Sequence, residues 1–208
     1  MVTREERSPE MRHFSLSLPL TVTAFAVPLF IWSAFNADYF DLANENYIIP
    51  LAVFFAGPVG LIAAMWAFYH KETYMATVAS LFGAFWLSYG MLLWLIDQGV
   101  VPRETSGDLR GFFFIPWAVT FGIVWLASMY QHWTMALVTM GATVMFILLS
   151  IGYYADSTNI LRIGGWVGFV TAGLAWYSML AEMLNVEFKR LVLPTDLDWF
   201  IRRGLRPH

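Results

Sequence analysis

Six apolar stretches follow one another along this chain, separated only by short polar breaks. They run Phe14 to Phe35, Ile48 to Phe68, Tyr74 to Ile96, Phe112 to Tyr130, Trp133 to Tyr154 and Leu161 to Leu184. A bilayer's hydrocarbon core is about 30 Å thick, and a helix needs about 20 mainly apolar residues to cross it. In lipid every backbone N–H and C=O must be satisfied within the chain, so runs of this kind form helices. A membrane β-barrel would instead show alternating segments of about 10 residues. The expected fold is an all-α membrane protein, a six-helix transmembrane bundle that leaves no room within 208 residues for a soluble domain.

Composition excludes other classes. Charged residues are 13% of the chain, against about 25% in soluble domains. Aromatics reach 18%, with 10 Trp, and Trp and Tyr collect at membrane interfaces. The net charge is −3 and no basic run is denser than Arg202-Arg203, which argues against a nucleic-acid partner. With no Cys, thiolate metal sites and catalytic thiols are excluded. The apolar run from Phe14 is too long for a signal-peptide core, so no cleaved leader is expected.

Orientation follows from Lys and Arg. One side holds Arg4, Arg7, Arg12, Lys71, Lys189, Arg190, Arg202, Arg203 and Arg206; the other holds only Arg103, Arg110 and Arg162. This asymmetry predicts a multi-pass protein of the plasma (cytoplasmic) membrane with both termini cytoplasmic. The chain divides into an N-terminal tail (1–13), a membrane domain (14–185) and a C-terminal tail (186–208). The opposite face is acidic, with Asp38, Asp41, Glu45, Asp97, Glu104, Asp108 and Asp156 read as loop residues.

The middle of every stretch lacks Asp, Glu, Lys, Arg and His, and Glu182 is the one carboxylate read within a span. Proton pumps keep ionisable groups at mid-membrane despite the cost, so a charge-relay pump is disfavoured. A pore for a small solute, lined by hydroxyls, aromatics and backbone, fits better; a structural membrane protein is the alternative. His13, His70, His132 and His208 are isolated, so neither a metal nor a cofactor is expected, and no catalytic constellation points to an enzyme. Gly164-x3-Gly168 lets helices approach closely, and intramolecular packing is favoured over an oligomer contact.

Particular motifs carry a resemblance. Gly165-Trp166-Val167-Gly168, Tyr177, and Ala181 through Pro194 with its Glu182-x-x-Asn185 step and Leu193-Pro194 are similar to the end of the acetate uptake transporter family. That family includes bacterial succinate–acetate permeases and fungal acetate and ammonia-export relatives. Asn36-x-x-Tyr39-Phe40 resembles its motif after the first helix, and Gly83-Ala84-Phe85-Trp86 its Gly-Ser-Phe-Trp in the third. Of the family's Asn-Pro-Ala-Pro-Leu-Gly-Leu signature only Pro19 and Leu20 survive.

The resemblance implies a homo-hexameric ring in the lipid bilayer, one narrow pore per protomer, and acetate or similar short monocarboxylates as substrate. It implies a constriction at Phe25, Phe82 and Ala142, where relatives carry an aromatic, a Tyr and a Leu. Thr21, Thr23, Ser80 and Thr143 lie within about a turn of those positions and are candidate polar lining. Glu182 and Asn185 read as a structural cap. A urea or short-amide channel, which shares the six-helix hexameric plan, stays open as an alternative.

Overall fold

The computed structural model describes residues 17–102, 105–129 and 133–195. The start of the first stretch at Phe14, the Gln131-His132 turn, His13, His208 and the arginines at 4, 7, 12, 103, 202, 203 and 206 lie outside them.

Among the described residues six helices are long and apolar enough to cross a membrane: α1 (Leu18–Asn36), α2 (Leu42–Tyr69), α3 (Thr73–Asp97), α4 (Ser106–Ser128), α5 (Trp133–Tyr154) and α6 (Thr158–Glu187). The described residues contain no strand. The chain is thus an integral membrane protein. Pro19 stands in the first turn of α1, where its missing N–H is needed by no carbonyl. The connections are tight because Asp38, Lys71, Asp156 and Lys189 adopt positive φ after α1, α2, α5 and α6. A residue in this left-handed conformation reverses the chain and lets the next N–H cap a helical carbonyl, as Tyr39 N–H does to Ala34 O (3.0 Å) and Glu72 N–H to Ala67 O (3.0 Å).

Three helices begin three or more residues earlier than hydropathy predicts. α2 opens as 3₁₀ turns over Leu42–Tyr47, six residues before Ile48, and widens into a π segment at Leu51–Ala56 before becoming regular at Gly57–Tyr69. α4 starts at Ser106 rather than Phe112, and α6 runs from Thr158 to Glu187, past the expected boundary at 185. The flanking turns are polar yet helical, and an apolar run marks only the part that lipid requires.

The helices close a ring. α1 packs on α6 and α2, α2 on α3, α4 on α5, and α5 on α6. Small residues set the tightest approaches. A Cβ on Gly60 of α2 would lie 2.9 Å from the Gly83 Cα of α3. Gly165 leaves no room for a Cβ against the backbone of Asn36 and Ala37, and Gly168 abuts Ser33 and Met145. Gly164 and Gly168 therefore pack inside the chain. The α3–α4 seam differs: the two backbones barely approach, and aromatic rings fill the space between them. Large apolar side chains such as Phe54, Met65, Tyr69, Ile123 and Val170 lie exposed around the outside, the surface that a lipid environment accepts.

Candidate functional site: an aromatic column headed by a buried ion pair

The rings inside the bundle form one continuous column. Phe25 of α1 stacks on Phe82 of α3 with centroids 4.0 Å apart, and Phe82 stacks on Phe121 of α4 at 5.2 Å. Phe121 meets Phe146 of α5 at 5.4 Å. Phe146 meets Phe85 at 4.8 Å and Phe114 at 5.8 Å. Trp32 then joins Phe114 (5.7 Å), Trp86 (5.8 Å) and Tyr89 (4.8 Å). All these side chains are buried. Four helices thus contribute rings, and apart from the closer Phe25–Phe82 stack their centroid spacings fall in the range of about 4.5–7 Å typical of favourable aromatic pairs.

The sequence-predicted residues fall on this column unevenly. Phe25 and Phe82 are brought face to face. Ala142 is buried in the same core, one turn before Phe146 on α5. Phe121 and Phe146, which complete the stack, carry no sequence signal, since a lone Phe in a span is ordinary. The four candidate hydroxyls all donate to their own helix: Thr21 to Ser17 O (2.9 Å), Thr23 to Pro19 O (2.7 Å), Ser80 to Ala76 O (2.8 Å) and Thr143 to Thr139 O (2.8 Å). Thr23 also lies 2.7 Å from the Met179 sulfur of α6, on a different side of α1 from Phe25's partner Phe82 of α3. In this arrangement their hydroxyl protons are taken by backbone carbonyls one turn earlier.

The family-motif residues have structural partners. Asn185 is buried, donates to Leu193 O (2.8 Å) and accepts from the N–H groups of Val192 (2.6 Å) and Leu193 (2.9 Å). The Tyr177 hydroxyl donates to Pro194 O at 3.0 Å. The segment after α6 is thereby folded back on that helix. Glu182 is buried one turn above Asn185. Asn36 donates to Trp32 O (3.0 Å), and Trp86 packs in the column. Tyr39 and Phe40 are 60% and 61% exposed, outside it.

Glu45 and Arg110 require a correction. Both were read as loop charges on the acidic face, yet both belong to helices at the head of the column, where Glu45 is buried and Arg110 nearly so. Their side chains are only 3% and 12% exposed and form an ion pair. The Tyr89 hydroxyl donates to Glu45 (3.1 Å), and Arg110 donates to the Tyr153 hydroxyl (3.2 Å) while standing 5.5 Å from that ring's centroid. A buried charge is tolerated when it is paired and hydrogen-bonded, which is what four helices supply here. The available signal was the phenols: Tyr89 and Tyr153 sit inside apolar spans, and a buried Tyr hydroxyl needs a partner. A surface cleft between the first turns of α2, the end of α3 and the start of α4 reaches the pair, lined by Leu42, Ala43, Glu45, Asn46, Asp97 and Arg110. It lies at the end of the bundle opposite residues 17 and 195.

The same architecture occurs elsewhere. A solved structure described as the bacterial acetate channel SatP superposes with a TM-score of 0.80 at 25% identity, covering 87% of this chain and 98% of that one. The succinate-acetate/proton symporter SatP of Escherichia coli is 26% identical over 176 residues, 85% of this chain and 92% of that protein. Accumulation of dyads protein 2 of Saccharomyces cerevisiae is 32% identical over 180 residues, 84% of this chain. The chain spans only 61–64% of the length of the first three yeast relatives it matches. A family model described as GPR1/FUN34/yaaH matches residues 2–198. That match covers every helix that contributes a ring to the column, and the chain belongs to the GPR1/FUN34/yaaH family.

Proposed function

We propose that this chain conducts acetate and similar short monocarboxylates across the cytoplasmic membrane, along the aromatic column inside each protomer of a homo-hexameric ring. In this reading residues 14–185 are the conducting domain, both termini face the cytoplasm, and the protein moves its substrate without changing it. The observation that carries the reading is the Phe25–Phe82–Phe121 stack. It fills the seam between α3 and α4, where the described backbones stand apart, in a fold that superposes on a protein described as an acetate channel. The lysine and arginine asymmetry supports the orientation, and the hexamer rests on the family resemblance.

The chemistry suits a small carboxylate. Its methyl group can slide between rings, while an apolar constriction excludes hydrated ions by forcing dehydration. Phe25, Phe82 and Ala142 form the narrowest part. Ala142 is smaller than the usual residue, so acids somewhat longer than acetate should pass. Thr21, Ser80 and Thr143 can turn their hydroxyls from backbone to carboxylate as it goes by; Thr23, held beside Met179, is the weakest of the four.

Purified protein in liposomes, given labelled acetate or labelled urea, tests this. Saturable acetate uptake without urea uptake is the expected result. Urea uptake without acetate would assign the column to neutral amides, and uptake of neither would leave a structural membrane protein.

A further inference from the structure

We infer that Arg110 is a binding station for the substrate carboxylate at the mouth opposite the termini, and that Glu45 is a built-in carboxylate which occupies it between substrates. The inference rests on the carboxylate-conducting reading above.

Four observations converge. First, Glu45 and Arg110 form an ion pair buried at the end of the aromatic column. Burying both charges costs desolvation that their attraction often fails to offset, and an apolar pair of similar size would commonly be as stable. Stability alone therefore does not explain the pair. Second, it stands where the column meets the cleft, and its arginine is the more exposed partner, at 12% against 3%. A solute entering from the cleft meets the guanidinium. Third, the guanidinium is held from the side by the Tyr153 hydroxyl at 3.2 Å and by that residue's ring, so it need not reorganise when Glu45 leaves. Fourth, Tyr89 links the pair to the column. Its hydroxyl donates to Glu45, and its ring packs on Trp32 (4.8 Å) and Phe114 (5.6 Å).

The chemistry is an exchange of like for like. A guanidinium presents a planar fork matched to two carboxylate oxygens. The head group of a short monocarboxylate is the same group as the Glu45 side chain. An incoming acid can replace Glu45 on Arg110, while Glu45 keeps its bond from the Tyr89 hydroxyl and turns toward the water of the cleft beside Asn46. Reformation of the Glu45–Arg110 pair then expels the substrate toward the column. Such an internal competitor weakens binding and speeds release, as conduction requires of any site along a pore.

Two measurements test the inference: ¹³C-acetate binding to detergent-purified protein by NMR line broadening, and acetate flux in liposomes. The variants are Glu45→Gln, which removes the competing charge, and the double variant Glu45→Gln/Arg110→Gln, which leaves an amide pair with no buried charge to unfold the bundle. For Glu45→Gln, acetate binding should tighten and KM fall by about tenfold, the low end of coupling seen for close charge pairs. For the double variant, binding should weaken to beyond the wild-type level and KM rise, with Tm kept near wild type. A double variant with wild-type affinity and KM would overturn the station and reduce the pair to a structural pin. If wild-type protein binds acetate and the variants shift binding as stated, yet no flux is seen, the station stands and the conduction reading fails. If flux is present but neither variant shifts KM or affinity, the station alone fails.

Discussion

Phe82 touches Phe25 on one face and Phe121 on the other, and all three rings are fully buried. Truncation of Phe82 to Ala therefore removes packing as well as a barrier. We expect a stability loss of up to about 3–5 kcal/mol, the range for a buried Phe, together with faster acetate leak and poorer discrimination between acids. Thermal unfolding and liposome flux on the same variant check both; a stability loss with unchanged selectivity would make the ring a packing element only. At this scale the sequence offered Phe25 and Phe82 only through alignment with the family, not through a motif, and the two meet in the fold. Phe121 and Phe146 were invisible, because a phenylalanine facing a column and one facing lipid look alike in one dimension. Glu45 and Arg110 were misplaced, because hydropathy locates a charge beside an apolar run but not whether its partner is water or another helix.

The elements show how small residues and amides fix the scaffold. Gly60 of α2 packs on the backbone of Gly83 of α3, where a Cβ on Gly60 would sit 2.9 Å from the Gly83 Cα. Gly60→Ala should push the two helices apart and cost roughly 1–3 kcal/mol, as overpacked sites do; a Tm equal to that of the parent would contradict the contact. Asn185 holds the segment after α6 by three hydrogen bonds to Val192 and Leu193. Asn185→Ala should free those amides, seen as faster hydrogen exchange at Val192 and Leu193, with about 1–3 kcal/mol lost, the usual penalty for stranding buried polar groups. Unchanged exchange there would mean that the segment is held otherwise. The existence and order of the six helices were legible from apolar length alone. Their ends were not, since the 3₁₀ opening of α2 and the first turn of α4 are polar and largely exposed, with only Glu45 and Ser106 buried in them.

At the scale of the whole molecule, the described helices meet across α3 and α4 through side chains rather than through close backbones. The orientation proposed from lysine and arginine counts predicts that cysteines introduced at Asp108 and at His208 label from opposite sides of the membrane; labelling from the same side would end it. The proposed hexamer predicts a six-protomer mass by native mass spectrometry in mild detergent. The central claim is that small carboxylates pass between the rings of this column, and side-chain size at Ala142 tests it most directly. Acetate and butyrate flux should be measured in liposomes holding wild-type protein or the Ala142→Leu variant, with Tm as a control for folding. The account predicts that Ala142→Leu lowers butyrate flux more than acetate flux while the bundle stays folded. Equal loss of both, or no change in their ratio, would contradict it.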